Sequence, residues 1–426
     1  EYTSTLHRTV NTFAVIILVA IIGEYLLGLA SSILSLRTFS PTLPTEFRDV
    51  FDEDKYTQAR HYSKTRTYFG VIHSSIDLMI LLSFWFSGGF EWFDQVVRTA
   101  DYGPLGSGLM YIGSLTLASS LLGLPFRLYS TFVIEARFGF NRTTVGTFAS
   151  DLLKSLVLGV VLGGLLLAVV LLFFEWAGPL AWLWCWLAAT AFMLTIQFVA
   201  PTWIMPIFNK FTALEDGELH DAIVNYTRSA SFPLQGLFIV DGSRRSSKAN
   251  AFFTGFGTNK RIGLFDTLVD DYSVPEVVAV VAHEVGHYKK QHIVKSMVLS
   301  VAHLGVMFWV LSFFLQQEAL FTAFFVTEQS VYTGLLFFGL LFTPVELVLS
   351  VLLNVFSRKN EFEADEFSAL TTADAESLVR ALKKLSADNL SNLPPHPFDV
   401  FLHYPPPPVL ERIRSLHKID SETMTA

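Results

Sequence analysis

Seven long apolar stretches dominate the pattern of hydrophobic and polar positions: Thr9–Leu36, Tyr68–Gly89, Leu105–Val133, Leu152–Trp176, Leu180–Pro201, Ser296–Leu315 and Val331–Asn354. A helix crossing the hydrocarbon layer needs about 20 mostly apolar residues. Each stretch is therefore predicted to be a membrane span, and tilt absorbs the extra length of the longer ones. The first is too long for a secretory signal and has no small-residue cleavage site, so it is expected to be a true span. Two long polar segments remain, one between spans 5 and 6 and one after span 7.

Lys and Arg in the connecting segments set the predicted orientation, because basic residues favour the cytosolic side. Arg8 alone precedes span 1, six basic residues lie between spans 1 and 2, and Arg98 alone lies between spans 2 and 3. Arg137 and Arg142 follow span 3, and there are none between spans 4 and 5. Ten lie between spans 5 and 6, none between 6 and 7, and eight after span 7. This alternation predicts an N-terminus outside, with the 5–6 segment and the C-terminal tail both cytosolic.

Composition agrees with the bilayer as solvent. The chain is 51% hydrophobic and 16% charged, with 40 Phe, whereas soluble domains carry about 25% charged residues. A net charge of −8 gives no footing for nucleic acid. The single cysteine, Cys185, excludes an intrachain disulfide and a cysteine zinc cluster. Lying among Trp182, Trp184 and Trp186, it is expected to be buried packing. Glu24, His73, Asp77, Arg127, His303 and Glu346 fall inside spans, where ionisable groups must face protein or water. Paired structural contacts between helices and a water-filled interior both remain open for them.

The chemistry is concentrated in the polar segments. Pro275–Gln291 reads as a helix containing His283-Glu284-x-x-His287. Residues four apart share a helical face, so both imidazoles can reach one cation, and Glu284 beside them can take a proton from metal-bound water. Gly286 permits close approach of a neighbouring element. With 11 His and 38 acidic residues, such a motif is expected by chance only roughly 0.025 times in this chain. His292 and His303 lack ligand spacing and read as solvated or structural. Catalytic zinc usually takes a third protein ligand. Just after span 7 a helix is expected to resume, with Glu361 and Asp365 on one face. Glu361 is the candidate third ligand. Asp365 can accept the second ring N–H of a zinc histidine, while Glu363 and Glu366 suit an ordinary charged face. Residues 250–265 read as a β-hairpin turning at Gly257–Lys260. Its first strand, with Ala251 and Phe252, is suited to hold an extended peptide substrate by backbone hydrogen bonds.

The HExxH motif and the run Asn354-x-x-Ser357-Arg358-x-x-Glu361-x-x-Ala364-Asp365, within seven spans, resemble the type-1 CAAX prenyl protease family of membrane zinc metalloproteases. FDEDKYTQAR (51–60), FGFNRTTVGTF (138–148), APTWIMPIFNKFTAL (200–214), the 241–268 segment and VLERI (409–413) extend the resemblance over most of the chain. The resemblance implies zinc held by His283, His287 and Glu361, with Glu284 as base; one zinc ion per chain is expected, with Asn354 and Asp365 behind the ligands. It also implies an intramembrane chamber, Asn250 at the edge of the cleft and Arg412 near the zinc. There is one departure. The family has a histidine six residues before that arginine, where this chain has Pro406. Arg412, or His403 in the missing histidine's place, is left as the expected donor to the reacting carbonyl oxygen.

The fold class predicted is an all-α multi-pass membrane protein, seven transmembrane helices enclosing a chamber, with a cytosolic zincin-like α+β metalloprotease domain. Residues 1–208 carry spans 1–5 and a cytosolic loop at 37–67, and 209–295 carry the hairpin and the HExxH helix. Residues 296–354 form spans 6 and 7, and 355–426 a cytosolic tail with the third ligand. The expected partners are the lipid bilayer and a peptide or protein substrate. The family resemblance favours cleavage after a prenylated cysteine. The run HEVGHYKKQH and the absence of an evident C-terminal dilysine look more like a bacterial relative, which favours prenyl-independent clearance of membrane or translocon-stalled proteins. The membrane would be cytoplasmic in a bacterium, and endoplasmic reticulum or inner nuclear in a eukaryote. A non-catalytic scaffold or transporter fits poorly with an intact Glu284.

Overall fold

The computed structural model describes residues 11–38, 43–254, 260–393 and 395–425. Arg8 and most of the expected 257–260 turn lie outside these residues. Among the described residues, seven helices are long and apolar enough to cross a membrane: Thr12–Thr38, Glu53–Phe86, Gly103–Glu135, Val145–Trp176, Gly178–Phe208, His292–Phe314 and Val331–Thr372. They are called spans 1 to 7 below. Each coincides with one of the predicted stretches. Val19, Leu121, Val160, Phe198, Val298 and Val348 are all more than half exposed on them. Such faces suit lipid, because a helix already satisfies its own backbone hydrogen bonds there.

Two elements run further than hydropathy predicts. Span 2 starts at Glu53, where Asp52 caps it by accepting the Lys55 N–H at 2.6 Å. The second half of the expected 37–67 loop is therefore helical. Its charged residues hide the pattern from a hydropathy count, yet Tyr56, Ala59 and Tyr62 are buried in a cluster with Leu378, Leu382 and Ile413 of the tail. Span 7 does not stop at Asn354 and resume. It is one helix of 42 residues, about 63 Å long at 1.5 Å per residue, and no Gly or Pro interrupts it after Pro344. A hydrocarbon layer of about 30 Å covers half of that. The remainder carries Glu361 and Asp365 beyond the apolar stretch on a rigid rod.

The polar segment between spans 5 and 6 forms a small mixed sheet from β1 (Phe211–Ala213), β2 (Leu234–Val240), β3 (Ala251–Thr254) and β4 (Lys260–Phe265). The order is β1-β2-β4-β3. β3 and β4 pair antiparallel, with Phe253 opposite Ile262, so the expected hairpin is present and β3 is the sheet's edge. Ile262 and Leu264 of β4 pack with Val277, Val281, Ala282 and Val285 of the HExxH helix, Val274–Lys289.

The HExxH helix in turn lies against span 7. A Cβ on Gly286 would stand 3.1 Å from the Cα and carbonyl oxygen of Ala364, so the two backbones meet closely and even a methyl group would be tight there. Ser368 Oγ donates to the Ala279 carbonyl at 2.8 Å and ties the pair. Cys185 is fully buried. Among the intramembrane ionisable groups, His73 pairs with Asp77 at 3.3 Å and His303 with Glu346 at 3.1 Å. Glu24 and Asp77 line a cavity of about 610 Å³ between spans 1 and 2. Arg127 donates to its own helix, at the Ser120 carbonyl. Both paired contacts and a polar interior therefore occur.

Gly286→Val should force the HExxH helix and span 7 apart. Overpacking of this kind costs about 1–3 kcal/mol, so thermal unfolding in detergent should shift down and metal retention should fall. An unchanged melting profile would mean that the helices separate freely.

Candidate metal centre

The HExxH helix begins at a capping box. The Ser273 side chain takes a first-turn N–H, and Glu276 returns to the Ser273 N–H at 2.8 Å. Pro275 sits in the first turn, where its missing N–H loses nothing. This start sets the phase of the helix. Val277, Val281 and Val285 then face the sheet, and His283, Glu284 and His287 face span 7 and the cleft. Glu361 reaches across from span 7.

The three ligating groups converge. His283 Nε2 and His287 Nε2 are 3.1 Å apart. Each lies 3.5 Å from a Glu361 carboxylate oxygen. A tetrahedral ion with bonds of about 2.0–2.1 Å needs ligand atoms about 3.3 Å apart, so the spacing matches.

The hydrogen-bond partners behind the ligands fix which ring nitrogens are bare. His283 Nδ1 lies 2.8 Å from Asp365, which is fully buried. Asp365 can only accept, so His283 donates from Nδ1 and its neutral form leaves Nε2 bare. His287 Nδ1 lies 2.9 Å from His292 Nδ1, and His292 Nε2 lies 3.1 Å from Glu363. The same logic runs along that chain from Glu363 and leaves His287 Nε2 bare too. Two bare nitrogens and a carboxylate facing one point are all acceptors, and only a cation or a proton can reconcile them.

Without a metal, the proton goes to His283. Burial disfavours charge there, but the bonds to Asp365 and Glu361 outweigh it and raise the pKa to about 9. His287 falls to about 4, through burial and the charge on His283 beside it. Burial lifts Glu284 to about 7, with Glu361 adding to the rise and His283, Arg412 and the Phe253 N–H opposing it. A carboxylate near neutrality suits a general base, whose task needs both protonation states within reach.

Arg412 is buried and holds Asp365 through Nε at 2.7 Å and Nη2 at 2.6 Å. Its Nη1 stands 3.4 Å from Glu361. Three of its five N–H groups are thus directed at Asp365 and Glu361, which leaves little for a substrate carbonyl. His403 does not join the centre. Its Nδ1 bonds Asp399 at 2.9 Å, and both line the cavity between spans 1 and 2. Asn354 is not behind the ligands either: its amide donates to the Leu402 carbonyl at 3.0 Å. Arg358, one turn on, donates to the Val400 and Tyr404 carbonyls. These two residues anchor the 397–403 helix to span 7.

Just before β3, Asn250 is exposed and its side chain accepts the Ala251 N–H at 2.9 Å. Ala251 is buried. The Phe252 ring lies over Gly263 in a small recess with Phe211 and Phe238. Among the described residues of β3, it is Phe253 whose backbone N–H faces Glu284 and lowers its pKa. Sequence reasoning missed Phe253, His292 and Glu363. A period-two pattern shows which strand residues alternate but not which N–H meets a distant carboxylate. His292 stands five residues from His287, which is no helical spacing.

Any metal must displace the His283 proton at a pH below about 9. Affinity should therefore rise about tenfold per pH unit up to that point and level off above it. Zinc competition titrations at several pH values measure this. A flat profile from roughly pH 6 to 8 would mean that the proton is not held there.

The sequence pattern described as "CAAX prenyl protease N-terminal, five membrane helices" matches residues 32–210, and that of peptidase family M48 matches residues 213–420. The CAAX prenyl protease 1 homolog of Arabidopsis thaliana is 35% identical over 391 residues, covering 90% of this chain and 92% of that protein. CAAX prenyl protease 1 of Saccharomyces cerevisiae is 34% identical over 410 residues, covering 89% of each. The crystal structure of S. mikatae Ste24p aligns with a TM-score of 0.89 at 32% identity, over 95% of this chain and 99% of that one. With a His–His–Glu group fit for a metal beside Glu284, on seven apolar helices and a small mixed sheet, the chain belongs to the CAAX prenyl protease 1 family of M48 membrane metalloproteases.

Proposed function

We propose that the chain binds one zinc ion through His283, His287 and Glu361 and removes C-terminal residues that follow a prenylated cysteine, with Glu284 as general base. The observation that carries the reading is the acceptor-only cluster of the three ligands, with Glu284 beside it touching the edge strand. The relatives' name, CAAX prenyl protease, brings in the prenylated substrate. When bound, zinc supplies Lewis acidity, lowering the pKa of its water and polarising a carbonyl oxygen.

The protein's own groups do the rest. The Asn250 carbonyl accepts from Phe265 of β4 at 3.0 Å. Backbone groups alternate in direction along a strand, so Ala251 and Phe253 turn theirs outward. An extended substrate adds to this edge and brings its scissile bond beside Glu284. Glu284 takes the proton of the attacking water and passes it to the leaving amine. Arg412 acts by position: it holds Glu361 directly and His283 through Asp365. His403 and Asn354 belong in this reading to the anchoring of the 397–403 helix. We assign the segments 209–295 and 355–426 to the cytosolic side, on the alternation of Lys and Arg.

Glu284→Gln should keep fold and metal and lose about 10² to 10⁴ in rate, the usual worth of a general base. The assay is mass spectrometry of products from matched farnesylated and unprenylated C-terminal peptides. A wild-type rate in the variant would remove Glu284 from the mechanism. Equal cleavage of both peptides by the unaltered protein would reassign the substrate to a prenyl-independent class.

Cysteines introduced between residues 316 and 330 should react with impermeant thiol reagents from outside, and those between 209 and 274 should not. The opposite labelling would invert the orientation and move the centre to the other side.

A further inference from the structure

His292 opens span 6 and stands out of ligand register with His287. The HExxH helix ends at Lys289, and Gln291 then adopts a left-handed conformation with φ 58°. The chain restarts as span 6 at His292, whose ring turns back onto the metal site. His292 is only 3% exposed. Its ring centroid is 5.1 Å from that of His287, at an interplanar angle of 74°.

We propose that His292 is a positioning residue for the metal ligand His287, held in turn by Glu363. This rests on the reading that His287 ligates the metal. A neutral imidazole has one donor and one acceptor nitrogen. Glu363 can only accept, so it fixes the proton on His292 Nε2 and makes His292 Nδ1 an acceptor. His287 must then donate from Nδ1, which presents Nε2 bare towards Glu361 and His283. Without this partner either nitrogen of His287 could carry the proton, and the form with Nε2–H cannot ligate.

The two histidine ligands are thus fixed by different devices. His283 bonds directly to a buried carboxylate that also grips Arg412. His287 bonds to a neutral ring, and the carboxylate behind that ring is partly exposed and stands 3.7 Å from Lys359. A direct carboxylate makes a stronger electron donor of its histidine than a neutral ring does, so the two ligand nitrogens are unequal. Because His292 is the first residue of span 6 and Glu363 belongs to span 7, the arrangement also joins two membrane helices at the metal.

The test uses the full-length protein in detergent and reads zinc affinity by chelator competition and the visible spectrum of the cobalt(II)-substituted form. His292→Leu should weaken zinc binding about 10- to 100-fold, the usual effect of losing such a partner, and alter the cobalt spectrum. His292→Asn, whose side-chain carbonyl can accept the His287 proton, should recover most of the loss. Wild-type affinity and spectrum in His292→Leu would overturn the proposal, as would an Asn variant no better than Leu. Should His292→Leu fail to fold, Glu363→Leu carries the test from a partly exposed position: a smaller loss of affinity supports the relay, and none overturns it. His283→Ala and His287→Ala separate the two levels of the argument. If these keep full zinc affinity, the reading of the metal centre itself fails.

Discussion

The close approach of the HExxH helix to span 7 is the constraint on which the metal centre rests. Two candidate ligands come from one helix and the third from another, so their convergence depends on the separation of two backbones. Gly286 faces Ala364 at a distance where even a Cβ would be tight. Ser368 fixes the register of the contact by bonding the Ala279 carbonyl. Helices packed through larger side chains lie about 8–10 Å apart. A wider separation would carry the Glu361 carboxylate away from the two imidazoles. The unbroken run of span 7 matters for the same reason. A kink near Asn354 would let Glu361 swing independently of the membrane part of the helix, whereas a continuous rod fixes it relative to the spans.

Charge is the second constraint. Glu361 and Asp365 both lie where water is scarce, and a buried charge is costly unless paired. Arg412 meets both, and His283 bridges them. Removing Arg412 would leave the carboxylates to repel one another, which is why it reads as part of the frame for the ligands. A bound cation then completes a set whose own groups otherwise need a proton at His283. Glu284 sits just outside this network, and burial brings its pKa to about 7. The pattern is one of neighbouring titratable groups pushed apart by their surroundings, the usual mark of an acid–base site.

The cavity between spans 1 and 2 is a separate polar region. Ser31 and Ser35 of span 1 donate to Asp399, which also binds His403. Asn354 and Arg358 hold the same 397–403 helix from span 7. That short helix is therefore fastened to the first and last spans at once. Asn354 and His403, candidates for the zinc site by sequence, lie here instead: Asn354 ties the tail to span 7 and His403 lines the cavity.

The sequence by itself determined what depends on local spacing. Seven apolar stretches became seven long helices, because a helix long enough to span a bilayer has to be apolar along that length. His283 and His287 share a face, as do Glu361 and Asp365, because four residues make about one helical turn. The hairpin at 250–265 followed from two strand-like runs flanking a turn-rich break, and the family from motifs spread over most of the chain. Tertiary structure decided what depends on distant backbones. Arg412 lies 47 residues from Asp365 and 129 from His283 in sequence, and only packing directs its fork at carboxylates instead of at a substrate. His292 meets His287 because one left-handed residue reverses the chain between two helices, an event with no periodic signature. Asn354, on the helix of the ligands, still turns to a carbonyl 48 residues on, because a side chain's partner is set by whichever element packs against that face.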